Sequence, residues 1–189
     1  MEQMNQATRV EIRTLHRELN EGDRMTEKQY VAMTGRLRSH PKGVRVIHNF
    51  NTAASLLIAV AYVGLLCMEF YFGMPQLPQT VLIPLSGFLT LSAVRSLINR
   101  SRPYEAFHQS PVIPKKTKGK SFPSRHVFSA YMIAFTYLYV GDILALAILL
   151  LVLATILAVI RVITGVHYIS DVLAGAAWAV VFAFIGYIL

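Results

Sequence analysis

Polar and apolar positions divide this chain into two unequal parts. Residues 1–48 are polar and read as two weakly amphipathic helices. In the first, Ile12, Leu15 and Leu19 share a face, with Arg9, Glu11, Arg13, Arg17 and Glu18 around them, and Gly22 and Asp23 end it. The second opens with Thr26 and has Gln29 three residues on, a capping-box pattern, and places Tyr30, Met33 and Leu37 on one face. From residue 49 onward apolar runs dominate, at about 50–72, 80–98, 126–140, 143–163 and 168–189. Each is near the ~20 residues needed to cross a bilayer, the third being short. The expected fold is all-α: a polytopic membrane bundle of about five transmembrane helices, residues 49–189, preceded by an N-terminal amphipathic segment, residues 1–48. Gly175, Ala179 and Ala183 recur every fourth residue in the last run, which predicts close helix packing. Between the second and third runs lies a long loop, 99–125, broken by Pro103, Pro111, Pro114 and Pro123. A loop of that length in a compact domain is usually functional or disordered.

Hydrophobic residues make up 54% of the chain, which together with their clustering in runs places it in a membrane. The formal charge of +8 is therefore read against a lipid surface, and no nucleic-acid partner is expected. Eight of the 18 Lys and Arg residues fall between Arg95 and Arg125, against one acid, Glu105. That concentration suits an anionic headgroup, and also a basic loop held on the cytoplasmic side. The single Cys67 lies in an apolar run and cannot form an intramolecular disulfide.

Alternating spans bring distant polar residues to one side of the membrane. The end of the second span carries Arg95, with Arg102 just beyond it. The start of the third carries Ser124, Arg125 and His126, the end of the fourth Arg161, and the start of the fifth His167 and Asp171. One arginine at a helix end is ordinarily a snorkelling anchor. A whole set gathered at one face is costly unless it serves a site. Ser124 follows a proline at the head of the third span, an N-cap position where free amides and the helix dipole favour an anion. Arg95 and Arg102 are seven apart and share a face if their helix persists to Pro103. His167 and Asp171 are four apart; the carboxylate can accept the Nδ1 proton and leave Nε2 as a nucleophile. No clustered carboxylates or cysteines accompany them, so neither metal nor cofactor is expected.

In order and spacing, Arg95-x6-Arg102-Pro103, Pro123-Ser124-Arg125-His126 and Arg161-x5-His167-x3-Asp171 resemble the three signatures of the type 2 phosphatidic acid phosphatase (PAP2) superfamily. Arg95 replaces the lysine most common there, Arg125 a glycine, and Ile160 a serine. The resemblance implies a multi-pass cell-membrane phosphatase acting on a lipid phosphate or diphosphate. Undecaprenyl diphosphate, phosphatidylglycerophosphate and phosphatidate are the candidate substrates. His167 would attack phosphorus and form a phosphohistidine, Asp171 would orient it, and His126 would serve as general acid and base. Arg95, Arg102, Ser124 and Arg161 would hold phosphoryl oxygens; Arg125, where the family has glycine, is a further phosphate-binding candidate that would either tighten a diphosphate or acidic headgroup or narrow the pocket. A non-hydrolytic phospholipid-binding or transport protein, and a lipid phosphotransferase, are the alternatives. Positive residues before the first span and in the loop put both on the cytoplasmic side by the charge rule, whereas the bacterial members mostly place the site outside the cytoplasm.

Overall fold

The computed structural model describes residues 25–115, 117–141 and 143–189. The helix expected around Ile12, Leu15 and Leu19 lies outside the described residues. The seven described helices are α1 (Glu27–Arg38), α2 (Pro41–Tyr71), α3 (Leu77–Ile98), a single turn α4 (Pro103–Ala106), α5 (Arg125–Tyr139), α6 (Leu144–Ile163) and α7 (Ile169–Tyr187). The helix α1 begins at the expected capping box, with the Thr26 amide donating to Gln29 Oε1 at 2.9 Å and the Gln29 amide to Thr26 Oγ1 at 3.3 Å. The helix α2 starts at Pro41, where a missing amide proton costs nothing, and runs unbroken through residue 48 into the first apolar span.

Among the described residues four helices are long and apolar enough to cross a membrane: α2, α3, α6 and α7. The third expected span, α5, falls short at 15 residues, or about 22 Å at 1.5 Å per residue. It is the central helix, packed against α2, α3, α6 and α7. Val127, Phe128, Ala130, Met132, Ala134, Thr136 and Tyr137 are all buried along it. The outer helices reverse the pattern of a soluble protein and expose large apolar side chains, among them Leu56, Val60, Leu85, Leu89, Leu149, Val152 and Leu173. A bilayer is the solvent that such a surface requires. The chain is an integral membrane protein.

Small residues set how closely the helices approach. On α6, Ala147, Leu150, Ala154 and Leu157 recur at helical spacing and pack with Ala130, Ala134 and Tyr137 of α5 and Ile58 of α2. On α7, Ala179 and Ala183 lie against Leu91, Phe128 and Met132. Gly175 completes that stripe at its site end, where a Cβ would stand 2.6 Å from the Ser124 carbonyl oxygen. Tyr62 donates to the Thr80 carbonyl at 2.9 Å, and Tyr137 to that of Ala61 at 2.6 Å, tying α2 to α3 and to α5. The interior glycine Gly64 has open space around it. Gly175→Ala is expected to lose stability by about 1–3 kcal/mol through overpacking against backbone. Gly64→Ala should gain a few tenths to about 1 kcal/mol from helix propensity. Melting of the two variants in detergent checks both signs.

Candidate active site

Three of the expected site segments meet where α3 ends, α5 begins and the turn between α6 and α7 crosses. A cavity of about 390 Å³ opens there, lined by Arg95, Arg102, Lys115, Arg125, His126, Arg161 and His167, with Phe88, Thr117 and Ser129. Both histidines therefore face one chamber, reached from four different segments of chain. Ser124 and Asp171 do not line it; they stand fully buried behind it.

The turn after α6 presents His167. Gly165 sits at φ +70, the left-handed region that glycine tolerates, and a Cβ there would run into the Tyr30 ring of α1. The chain then enters α7 with Asp171 in its first turn, and Asp171 Oδ2 lies 3.1 Å from His167 Nδ1 and accepts the Tyr168 amide at 3.1 Å. On the other side of the ring, Nε2 is 3.4 Å from Arg102 Nη1. A guanidinium can only donate, so Nε2 is the lone-pair nitrogen and Nδ1 carries the proton toward Asp171. Burial pushes the His167 pKa down to about 4, against the upward pull of Asp171. The ring is thus neutral in the near-neutral range.

The helix α3 does not persist to Pro103, contrary to the expectation for Arg95 and Arg102. It ends at Ile98, and Asn99 turns the chain in the left-handed conformation, its amide donating to the Arg95 carbonyl. The two arginines converge because the chain folds back, not because they share a helical face. The long loop is pinned in place. The Ser121 amide donates to the Arg100 carbonyl at 2.8 Å. Glu105 accepts from the amides of Arg102 at 2.9 Å and Gly119 at 2.8 Å. Arg95 Nη1 donates to the carbonyls of Ser121 at 3.2 Å and Pro123 at 2.6 Å, and Arg102 Nε to that of Gly119 at 3.1 Å.

Ser124 occupies the N-cap position of α5 with extended backbone, but its side chain makes no capping bond. Its amide is already committed to the Asp171 carbonyl at 2.9 Å, so that donor is not free for an anion. Ser124 Oγ, Arg95 Nε and Arg161 Nε are buried without a protein partner. Buried polar atoms are nearly always satisfied, and three orphans in this neighbourhood call for a ligand. Arg125 is exposed, and its guanidinium lies 5.7 Å from the centre of the Phe88 ring at the rim. Lys115 reaches in from the loop, and burial together with Arg161 and Arg102 lowers its pKa.

Four residues here were not legible as site residues in the sequence. Arg100 is fully buried, donates from Nη1 to Asp171 Oδ1 at 3.0 Å and to Ser170 Oγ at 2.7 Å, and stacks 4.0 Å from the centre of the Tyr168 ring. In the sequence it is one more cation of a basic loop. Ser121 Oγ also donates to Asp171 Oδ2. Lys115 read as loop charge, and Ser55 of α2, 3.0 Å from His126 Nε2, sits in an apolar run with no motif. His108 lines an adjoining open cavity that shares Lys115 with the site.

The Arg100–Asp171 pair is wholly buried on both sides. Removing one partner strands a buried charge, so Arg100→Met is expected to lose about 3–5 kcal/mol of stability. Arg100→Met combined with Asp171→Asn should lose less than the sum of the single changes, which a double-mutant cycle of melting curves measures.

No curated protein sequence matches the chain. Two crystal structures share its fold. LpxE of Aquifex aeolicus superposes with a TM-score of 0.66 at 21% identity, over 87% of this chain and 96% of that one. The first transmembrane PAP2-type phosphatidylglycerolphosphate phosphatase of Bacillus subtilis superposes with a TM-score of 0.62 at 22% identity, over 93% of this chain and 92% of that one. The profile of the PAP2 superfamily matches residues 76–189, a stretch that begins just before α3 and takes in every residue that lines the cavity. On that match and the shared fold, the chain belongs to the PAP2 superfamily.

Proposed function

We propose that this protein is a lipid phosphate or diphosphate phosphatase of the cell membrane that works without a metal through a phosphohistidine. The observation that carries this reading is the shared chamber: a neutral, oriented imidazole, a second imidazole and four guanidiniums around about 390 Å³. A binding or carrier protein needs the cations but not the oriented nucleophile.

In this reading a phosphoryl group displaces Arg102 from His167 Nε2 and takes that guanidinium for its own oxygens. Arg95 and Arg161 offer their unpartnered Nε donors, and Ser124 its hydroxyl. His167 Nε2 attacks phosphorus, forming the P–N bond as the bond to the lipid oxygen breaks, and His126 protonates that oxygen. His126 then takes a proton from water as the water attacks phosphorus, the P–N bond breaks, and inorganic phosphate leaves. Asp171 compensates the positive charge that develops on His167, and Arg100, Ser121 and the Tyr168 amide keep the carboxylate in place. Fixed donors aimed at a phosphoryl group that gains charge account for most of the catalysis. Acid–base work by His126 adds on the order of 10²–10⁴.

The lipid tail has a place to lie. An apolar groove of about 330 Å³ between α2, α3 and α5, lined by Tyr62, Leu66, Pro84, Leu85 and Met132, shares Phe88 and Ser129 with the site cavity. A headgroup in the chamber and a chain in the groove suit undecaprenyl diphosphate, phosphatidylglycerophosphate and phosphatidate alike. LpxE and the Bacillus subtilis phosphatidylglycerolphosphate phosphatase share the fold.

Purified protein in detergent is expected to release phosphate from one or more of those three lipids and to do so undiminished in excess EDTA. His167→Ala should abolish turnover in protein that still melts cooperatively in detergent. Turnover retained by His167→Ala would remove the phosphohistidine, and activity lost in EDTA but restored by Mg²⁺ would remove the metal-free mechanism.

A further inference from the structure

The residues that hold Asp171 and His167 all lie within or beside the family's matched stretch, but His126 is held from elsewhere. Its Nε2 is 3.0 Å from Ser55 Oγ, on α2, a helix outside residues 76–189. Ser55 also lies 2.6 Å from the Asn51 carbonyl one turn back on the same helix. A serine hydroxyl has one hydrogen, and a carbonyl can only accept. That hydrogen is therefore committed to Asn51, and toward His126 the serine oxygen is an acceptor. Nε2 must then be the nitrogen that carries the proton. Nδ1 makes no hydrogen bond to the protein among the described residues. The ring sits where the site cavity meets a smaller, mostly apolar cavity of about 200 Å³ lined by Ser55, Ile58, Ala59 and Leu157. Ser129 also lines both cavities, but Ser55 Oγ is the side-chain atom within hydrogen-bond distance of the ring.

We infer that Ser55 is a positioning residue for His126, holding the ring by Nε2–H and reserving Nδ1 for proton exchange. The inference rests on the phosphatase reading for its catalytic consequence. In the first step the imidazolium carries hydrogen on both nitrogens, and the Nδ1 proton passes to the lipid oxygen as its bond to phosphorus breaks. The neutral ring that remains is the Nε2–H tautomer, which Ser55 already binds. In the second step Nδ1 takes a proton from the attacking water as the phosphohistidine bond breaks, and the imidazolium is restored. Nε2 keeps its hydrogen throughout, so one hydrogen bond to Ser55 serves both steps without rearrangement.

A general acid matters most when the leaving oxygen is basic. Ser55→Ala is therefore expected to lower kcat/KM for phosphatidate roughly tenfold, a part of the 10²–10⁴ attributed to acid–base catalysis. The kcat/KM for p-nitrophenyl phosphate, which reports only the steps up to loss of a phenolate that leaves without a proton, should stay within about twofold of wild type on the same principle. Ser55→Thr, which keeps the hydroxyl, should restore lipid turnover, and Ser55→Ala should have no further effect in a His126→Ala background. Equal losses of kcat/KM on both substrates, no loss on either, or an undiminished effect in that background would overturn the role of Ser55. Absence of wild-type turnover would overturn the phosphatase reading instead. The tautomer is tested apart from activity by ¹⁵N spectra of the histidine-labelled wild-type protein, which should show His126 protonated on Nε2 when neutral. A proton on Nδ1 would refute the inference whatever the kinetics.

Discussion

Everything around the site depends on one buried carboxylate. Asp171 has no exposed surface, and an ionised carboxylate survives such burial only when its oxygens are fully paired. It receives Arg100 on Oδ1, and Ser121, the Tyr168 amide and His167 on Oδ2. Those donors come from the chain after α3, the loop before α5 and the start of α7. Its backbone is used as well, since the Asp171 carbonyl accepts the Ser124 amide at the head of α5. Satisfying one residue thus gathers three helix ends, and the cavity is what remains in front of them.

The cations in that cavity are arranged the other way. Asp171 is matched by Arg100, but Arg95, Arg102 and Arg161 face the chamber with donors left over or spent on carbonyl oxygens. Several like charges at low dielectric repel one another, and carbonyl dipoles offset only part of that cost. An arrangement of this kind is stored readiness for an anion with several oxygens: binding it relieves repulsion and satisfies buried donors at once. The electrostatics of the chamber therefore suit an anion that brings several oxygens at once.

The two histidines are poised differently. His167 is held between a carboxylate and a guanidinium, which define its tautomer from both sides. His126 is held from one side by a helix that the family profile does not include. The setting of His167 thus belongs to the matched stretch, whereas that of the second imidazole is supplied by α2. The helix α1 adds a further outside contribution, packing Tyr30 beneath the Gly165 turn that presents His167. The helix α1 is in this way built into the site's support.

Apolar runs of bilayer length, with caps and breakers between them, were enough to define an all-helical membrane bundle, because backbone left unpaired in hydrocarbon is too costly for other solutions. Span direction alone then put Arg95, Arg102, His126, Arg161 and His167 at one end, since alternate helix ends must share a side. The i, i+4 relation of His167 and Asp171 was equally local and equally visible. What the sequence could not determine is anything that depends on how the chain returns between helices. Arg100 and Ser121 reach Asp171 from about 70 and 50 residues away in sequence, and Ser55 reaches His126 from about 70. Whether α3 stops at Ile98, which turns Arg100 inward, rests on one left-handed residue whose choice is made by the loop packed on it. Pairings across such distances are selected by tertiary packing, in which each buried polar group takes whichever partner the folded helices bring within reach.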